Sequence, residues 1–206
     1  MLIERPPFLY RALFPGAHWR FNTHEKGVYL TFDDGPIPEV TPWVLDLLDK
    51  YHIRAAFFCV ADNVRKHPEI YQMIQDRGHL IGNHTFHHLQ GWKMRTKTYM
   101  HDVEEAEQLI ESSLFRPPHG HLRMLQFFRL RKKFQIIMWD VVTRDYSRLQ
   151  SPEMVLFNVK KYTRNGSIIV FHDSLKAEEK MKYVLPKAIE WLISEGYTFK
   201  SIDDEI

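Results

Sequence analysis

The sequence predicts an α/β fold, a distorted (β/α) barrel of about seven strands with its helices on the outside. Short apolar runs alternate with longer amphipathic segments along the whole chain, which is typical of a mostly parallel sheet covered by helices. No part of the chain carries a second group of strands, so one sheet accounts for all the apolar runs. Polar residues of unusual type follow several of these runs, where the reactive groups of β/α barrels lie. An open doubly wound sheet is the alternative architecture.

The predicted strands are short apolar runs bounded by turn residues and rich in β-branched and aromatic side chains. Each run is too short to be a typical helix, and each is followed by a longer amphipathic segment or by the chain end. They cover residues 28–32, 54–60, 79–82, 134–139, 167–171 and 197–200.

The predicted helices are the longer segments, in which apolar residues recur every three or four positions. In the first of them, Val40, Val44 and Leu48 fall on one helical face. Gly78 ends the second helix, and Pro152 occupies the favoured first turn of another. They cover residues 39–51, 61–77, 97–113, 122–133, 152–162 and 178–194.

The length and composition are those of an ordinary globular protein. The chain has 206 residues, of which 44% are hydrophobic and 26% charged, enough to bury a substantial core. We find no linker, low-complexity tract or internal repeat beyond the strand–helix alternation. We therefore expect a single domain over residues 1–206, with its core at about 27–200.

The charge balance gives no reason to expect nucleic acid or an anionic membrane as a partner. The 28 basic and 26 acidic side chains leave a formal net charge of +2, and the basic run 129–133 is predicted to be the solvated end of a helix. The single cysteine, Cys59, lies in an apolar run and is expected in the core. We see neither a secretory signal nor a span of ~20 apolar residues. We expect no membrane span and a cytoplasmic location, and the oligomeric state is not predicted.

Two loops offer the ligands of a catalytic metal ion. Asp33 and Asp34 follow the first predicted strand, and His84 and His88 follow the third. Two histidines four apart share one face if their segment makes a helical turn. Together with one carboxylate they provide three protein ligands and leave positions open for water and substrate, as in catalytic zinc sites. The alternatives are a chance spacing of the histidines and aspartates that cap a turn.

The remaining polar groups suit proton transfer. The side chains of neighbouring aspartates point in different directions, so one can bind the cation while the other accepts a proton from water. His172 follows the apolar run 167–171, and its ordinary pKa of ~6.5 suits a proton donor to a leaving group. Arg116 could hold a catalytic carboxylate ionised and oriented. Taken alone, His172 could equally be a core residue and Arg116 a surface residue.

At these residues the sequence resembles the NodB-homology polysaccharide deacetylases, carbohydrate esterase family 4. The resemblance covers about residues 27–200. Its motifs appear as T-F-D-D-G-P at 31–36, H-T-F-H-H at 84–88, R-P-P-H-G at 116–120 and V-F-H at 170–172. In the third motif His119 stands where the family usually has tyrosine.

The resemblance implies a role for each of these residues. Asp33 would be the general base, His172 the general acid, and Arg116 the residue that steadies the base. The backbone N–H of His119 would help to bind the oxyanion. A divalent metal, most simply Zn²⁺ with Co²⁺ or Ni²⁺ as substitutes, would be held by Asp34, His84 and His88.

One motif departs from the family pattern. The family commonly shows D-x-x-D-W, and the matching stretch here is V-T-R-D-Y at 142–146. We take the first aspartate of the motif as the usual partner of the acid histidine, so Val142 predicts that this partner is missing. Asp140 and Asp173 are the candidates to replace it. Tyr146 stands in place of the tryptophan that helps to line the acetyl pocket.

The predicted function is metal-dependent hydrolysis of an acetyl group, with an N-acetylated amino-sugar oligosaccharide or polysaccharide as substrate. Hydrolysis of an O-acetyl ester is an alternative, since an ester depends less on a strong general acid. A metal-retaining carbohydrate-binding protein with weak catalysis is the other alternative. Aromatic side chains could stack on sugar rings or pack in the core. They are Trp92, Tyr99, Trp139 and Tyr146.

Overall fold

The structure is a computed structural model that describes residues 4–23 and 25–206. The prediction that the chain start carries no secretory signal falls partly on residues 1–3, which lie outside these ranges. Eight strands form one sheet in which every strand pairing is parallel. They are β1 (Gly27–Asp33), β2 (Ala56–Cys59), β3 (Leu80–Asn83), β4 (Leu114–Phe115), β5 (Gln135–Ile136), β6 (Val141–Val142), β7 (Ser167–His172) and β8 (Thr198–Phe199).

The helices connect the strands and cover the sheet. No helix among the described residues is both long and apolar enough to cross a membrane. They are α1 (Phe8–Ala12), α2 (Thr41–Lys50), α3 (Ala61–Lys66), α4 (Pro68–Asp76), α5 (Thr96–Ala106), α6 (Met124–Leu130), α7 (Pro152–Tyr162) and α8 (Glu178–Ser194).

The strand order confirms the predicted distorted barrel. The order is β5-β4-β3-β2-β1-β7-β6, with β8 paired to the start of β1. The two end strands, β5 and β6, do not pair with each other within the described residues. The sheet is therefore a curled half-barrel, and the doubly wound alternative is wrong.

Some predicted boundaries are wrong for identifiable reasons. The single helix expected over 61–77 is two helices, α3 and α4, because Pro68 lacks the N–H that a continuous helix needs there. The helix expected over 97–113 ends at Ala106. The strands β4 and β6 were not predicted, because two residues carry no periodic signal.

The alternation of side chains along β1 points Asp33 into the barrel. Val28, Leu30 and Phe32 pack with the helices in the largest core cluster. Residues of opposite parity face the other side of a strand, and Tyr29 accordingly packs in a separate cluster inside the curl. Asp33 has the parity of Tyr29, so its carboxylate points into the barrel at the carboxyl end of the strand.

Candidate metal and catalytic site

Asp34, His84 and His88 come together at the carboxyl ends of β1 and β3. Asp34 Oδ1 lies 3.1 Å from His88 Nε2 and 3.7 Å from His84 Nε2, and one ligand atom from each residue lies within 4.8 Å of the others. Two ligand atoms at tetrahedral Zn–N or Zn–O distances are roughly 3.3 Å apart. The donor set and its spacing therefore fit a divalent metal, with coordination positions left open.

His84 is fixed in the tautomer that a metal ligand requires. Its Nδ1 lies 2.7 Å from the carbonyl oxygen of Arg116, which can only accept a hydrogen bond, so Nδ1 carries the proton. The lone pair of Nε2 is then free to bind a cation. Burial lowers the pKa of His84 well below its ordinary value, which keeps the imidazole neutral.

Asp34 is turned away from the strand that carries Asp33. Its φ of 85° is left-handed, and its carbonyl accepts a hydrogen bond of 2.8 Å from Asn63 Nδ2. Burial by itself would raise the pKa of Asp34. The hydrogen bond from His88 and the charges of nearby histidines outweigh burial and lower the pKa of Asp34. The carboxylate therefore stays ionised beside the two histidines.

The loop that carries the two histidines is not the helical turn that their spacing suggested. Thr85 and His88 both have positive φ, 66° and 55°. The buried carboxylate of Asp102, on α5, accepts hydrogen bonds from the N–H groups of Phe86 and His87 at 2.9 and 3.1 Å. This carboxylate also bonds the His87 ring at 2.6 Å. A helix residue thus shapes the loop.

Asp33 is held by a buried arginine. Arg116 Nη1 donates to Asp33 Oδ1 at 2.6 Å and to Thr31 Oγ1 at 2.8 Å. The remaining guanidinium donors bond the carbonyls of Ile137 and Met138, and the cation lies 4.0 Å from the centre of the Phe58 ring. Burial raises the pKa of Asp33, while the charge of Arg116 opposes that shift. The geometry fits a carboxylate that is oriented and a stronger base than an exposed aspartate.

His172 has a carboxylate partner, and it is Asp145. Asp145 Oδ1 lies 2.7 Å from His172 Nδ1, and its Oδ2 accepts from the backbone N–H of His172 at 2.8 Å. Burial alone would lower the pKa of His172. The charge and hydrogen bond of Asp145 outweigh it and raise this pKa to about 9.

The expected replacements for a missing partner are therefore wrong. Asp140 is bonded to Arg11, Arg164 and Ser167, and Asp173 accepts from Thr41 Oγ1 and the N–H of Gly35. Asp145 is the second aspartate of the D-x-x-D pattern, so the sequence contained the signal, but the prediction assigned the pairing to the first position. Val142 lines the cavity as an apolar residue instead.

His119 lies at the cavity with a positive φ, outside the Asp34–His84–His88 donor group. Its φ is 59°, and its N–H donates no hydrogen bond among the residues that the structure describes. Its ring lies edge-on to that of His88, with centroids 4.8 Å apart, and burial lowers its pKa to about 4. The unpaired N–H at the cavity is suited to an oxyanion.

A small cavity joins these groups. Its volume is ≈ 130 Å³, below the roughly 300–1,000 Å³ of sites that hold a whole drug-sized ligand. It therefore has room for a small substituent rather than for a whole ligand of that size. The lining residues are Asp33, Asp34, His84, His88, His119, Trp139, Val142, Tyr146, Val170, His172 and Lys176.

The four aromatic candidates divide by position. Tyr99 is fully buried in the core, whereas Trp139 is buried and also lines the cavity. The Tyr146 ring is edge-on to His172, with centroids 4.7 Å apart. Trp92 is exposed and stacks on His121.

The sequence analysis missed two residues of the site because no motif marks them. Lys176 lines the cavity, and Asp102 bonds the histidine loop.

Comparisons with known proteins agree with this geometry. A family model described as polysaccharide deacetylase matches residues 20–127. A peptidoglycan-N-acetylglucosamine deacetylase of Bacillus cereus is 30% identical over 194 residues, which are 90% of this chain and 91% of that protein. The peptidoglycan-N-acetylmuramic acid deacetylase PdaA of Bacillus subtilis is 31% identical, over 98% of this chain and 76% of that protein.

Solved structures show the same fold. The Bc1960 peptidoglycan N-acetylglucosamine deacetylase superimposes with a TM-score of 0.85 at 29% identity, covering 98% of this chain and 97% of that chain. The structure of Bacillus subtilis PdaA, described as a family 4 carbohydrate esterase, gives a TM-score of 0.82 at 29% identity. That comparison covers 98% of this chain and 91% of the PdaA chain.

Proposed function

This chain belongs to the polysaccharide deacetylase family, carbohydrate esterase family 4, and we propose that it removes the N-acetyl group from an amino sugar of a peptidoglycan-type glycan. The observation that carries the proposal is the convergence of Asp33 and His172, each with its own charged partner, on a cavity beside the Asp34–His84–His88 donor set. The relatives named above act on N-acetylated sugars of peptidoglycan.

A divalent metal fits the donor set, and Zn²⁺ suits it best. Asp34, His84 and His88 would hold it, with Co²⁺ or Ni²⁺ as possible substitutes in the same three donors. When bound there, the ion would polarise the acetyl carbonyl and make a water molecule easier to deprotonate. This arrangement matches that of catalytic rather than structural zinc, because only three protein ligands are supplied.

The chain's own residues divide the proton transfers. Asp33, oriented by Arg116, takes the proton from the attacking water. The N–H of His119 donates to the oxygen that becomes negative as the carbonyl is attacked. His172, kept protonated by Asp145, gives its proton to the departing amine. Val142, Trp139 and Val170 provide apolar wall around the acetyl group.

The Asp145–His172 pair counts against both alternative functions, the O-acetyl esterase and the carbohydrate-binding protein. The O-acetyl alternative drew its support from a His172 without a carboxylate, and the ion pair at 2.7 Å removes that support. An amide needs protonation of its leaving group more than an ester does, so a well-held acid favours the N-acetyl substrate. A binding protein needs neither Asp33 nor His172, and both are held here by buried partners.

The proposal is tested by replacing the base. Asp33→Asn keeps the size of the side chain but cannot accept the proton, so acetate release from N-acetylglucosamine oligosaccharides should fall by roughly 10²–10⁴-fold. Metal binding, followed by calorimetry, should remain at one ion per chain because Asp33 is not among the donors. Asp204→Asn, at an exposed position, is the control and should release acetate like the unmodified chain. Retained turnover by Asp33→Asn would show that another group is the base.

A further inference from the structure

Two segments of the chain contain no acidic residue. Residues 5–24 and 112–139 lack aspartate and glutamate, although the chain has 26 of them. Five of the eleven residues from 123 to 133 are arginine or lysine. The net charge of +2 thus conceals a separation of charge along the chain.

The fold packs these two segments against each other. Phe14 lies on Phe127 with ring centroids 5.1 Å apart, and the Tyr10 hydroxyl donates to the Gly120 carbonyl at 2.6 Å. The N–H of His18 bonds the Ile136 carbonyl at 2.8 Å, next to β5. The two acid-free segments therefore form one side of the molecule.

That side exposes large apolar side chains. Phe8 and Leu9 on α1 are each 80% exposed, and Leu125 and Phe128 on α6 are 55% and 44% exposed. Leu13, directly after α1, is also exposed. Leu9 and Leu13 are four positions apart, and Leu125 and Phe128 are three positions apart. Each pair therefore shares one outward helical face. The inward residues of the same segments, such as Phe14 and Phe127, are buried.

Cations flank the apolar side chains. Arg129 and Lys132 are exposed, and their side chains make no hydrogen bond or ion pair within residues 4–23 and 25–206. Lys133 is paired with Glu107. Arg131 packs against Phe127. Trp92, half-exposed beside the same side, donates its indole N–H to the Leu122 carbonyl. Apolar side chains, basic side chains and an edge tryptophan are the features of surfaces that bind at a lipid headgroup layer.

We propose that this basic apolar face docks onto the surface of a bilayer that contains anionic phospholipid. The face consists of Phe8, Leu9, Leu13, Met124, Leu125 and Phe128 with Arg129 and Lys132. The apolar side chains enter the headgroup region, and the unpaired cations bind lipid phosphates. A symmetric dimer through the same face would bring like charges together, which disfavours a second copy as the occupant. Tyr10, on the same helix as Phe8 and Leu9, bonds the carbonyl of Gly120, and the preceding residue His119 lines the cavity.

The test measures binding of the chain to phosphatidylcholine vesicles with and without phosphatidylglycerol, by co-sedimentation at low and high salt. We expect binding to the anionic vesicles at low salt, and weaker binding at high salt. Leu125→Ser with Phe128→Ser should weaken it by about tenfold or more, because less apolar surface leaves water. Arg129→Glu with Lys132→Glu should remove the preference for anionic vesicles.

Control variants on α7 and α8 distinguish binding through this face from non-specific binding of the chain to vesicles. Ile193→Ser removes an apolar side chain that is 49% exposed on α8, and Lys160→Glu with Lys187→Glu changes the net charge by the same amount as the α6 pair. Both should bind like the unmodified chain, with thermal unfolding by circular dichroism showing that every variant is folded. Should the serine pair fail to fold, the α6 charge pair decides.

Three results would overturn the proposal. One is no binding to anionic vesicles at low salt, and another is equal loss of binding in the α6 and α8 variants. The third is self-association in sedimentation velocity that Leu125→Ser with Phe128→Ser abolishes, which would make a second copy the occupant.

Discussion

Two adjacent carboxylates face different groups because their backbones differ. Asp33 is the last residue of β1 and points into the barrel, where Arg116 meets it at 2.6 Å. Asp34 has left the strand with a φ of 85°, and its carboxylate faces the two histidines. The sequence showed that the two side chains diverge, and the family resemblance assigned their roles. The structure supplies the physical cause.

The D-x-x-D pattern marks Asp145 as one candidate partner of His172, but the choice among the candidates depends on the loop after β6. Arg144 adopts a φ of 62° there, which turns the chain so that Asp145 reaches His172. Asp140, five residues before Asp145, forms ion pairs with Arg11 and Arg164 instead. A residue count cannot reveal such a turn, since a positive φ at arginine has no sequence signal.

At the residue scale, Asp145→Asn should move the pH profile. Asp145 raises the pKa of His172 to about 9, so the acid is protonated below that pH and activity is lost as pH rises through it. Without the carboxylate this pKa falls, and the alkaline limb of kcat/KM should move to lower pH. At neutral pH kcat/KM should fall by about tenfold or more, with metal affinity unchanged. If the alkaline limb lies at the same pH in the variant and in the unmodified chain, His172 is not the general acid.

At the scale of elements, helix α5 acts on the metal site through the histidine loop. Asp102 bonds the N–H groups of Phe86 and His87, which lie between the two histidine ligands. The spacing of His84 and His88 predicted their proximity correctly but suggested a helical turn. Thr85 and His88 have positive φ instead, and Asp102, which bonds the loop between them, is 14 or more residues farther along the chain. Local sequence therefore did not reveal the shape of the loop.

Asp102→Ala should therefore weaken metal binding by roughly 10- to 100-fold, as loss of a group that orients ligands does. The measurement is competition with a chromophoric chelator for Zn²⁺, which reports affinity independently of turnover. Glu105→Ala, on the same helix, removes a donor of the His87–Asp102–Glu105 group but leaves the Asp102 bonds to the loop in place, so it should bind Zn²⁺ at the cavity like the unmodified chain. Equal affinity in both variants would show that the loop holds its shape without Asp102.

The turn after β1 requires glycine at position 35 for steric reasons. A Cβ on Gly35 would lie 2.0 Å from Asp173 Oδ2, and this buried carboxylate also accepts from the Gly35 N–H at 3.0 Å. Gly35→Ala should lower the free energy of unfolding by about 1–3 kcal/mol or more through overpacking, measured by urea denaturation. Gly27→Ala is the control, because its Cβ would meet only the flexible Lys200 side chain, and it should cost much less.

At the scale of the whole molecule, parallel topology gathers residues that are distant in sequence. β1 pairs with β2 and β7, and β2 pairs with β3, so the ends of β1, β3 and β7 share one edge of the sheet. This is why the strand–helix alternation and the position of each polar residue after a strand predicted the fold and the meeting of Asp33, Asp34, His84, His88 and His172. The pairing of α1 with α6 was not predictable, because α1 is five residues long and carries no periodic signal.

The most direct test of metal-dependent N-deacetylation is acetate release during a metal titration. The chain is stripped with a chelator, and acetate released from an N-acetylated oligosaccharide is measured as Zn²⁺ or Co²⁺ is added. We expect no release from the stripped chain and full recovery once the Asp34–His84–His88 site is filled, because these donors line the cavity. The second donor group, His87–Asp102–Glu105, does not line it, so an ion bound there should not restore release. Full release after stripping, or no release from any N-acetylated substrate with one ion bound, would contradict the proposed function.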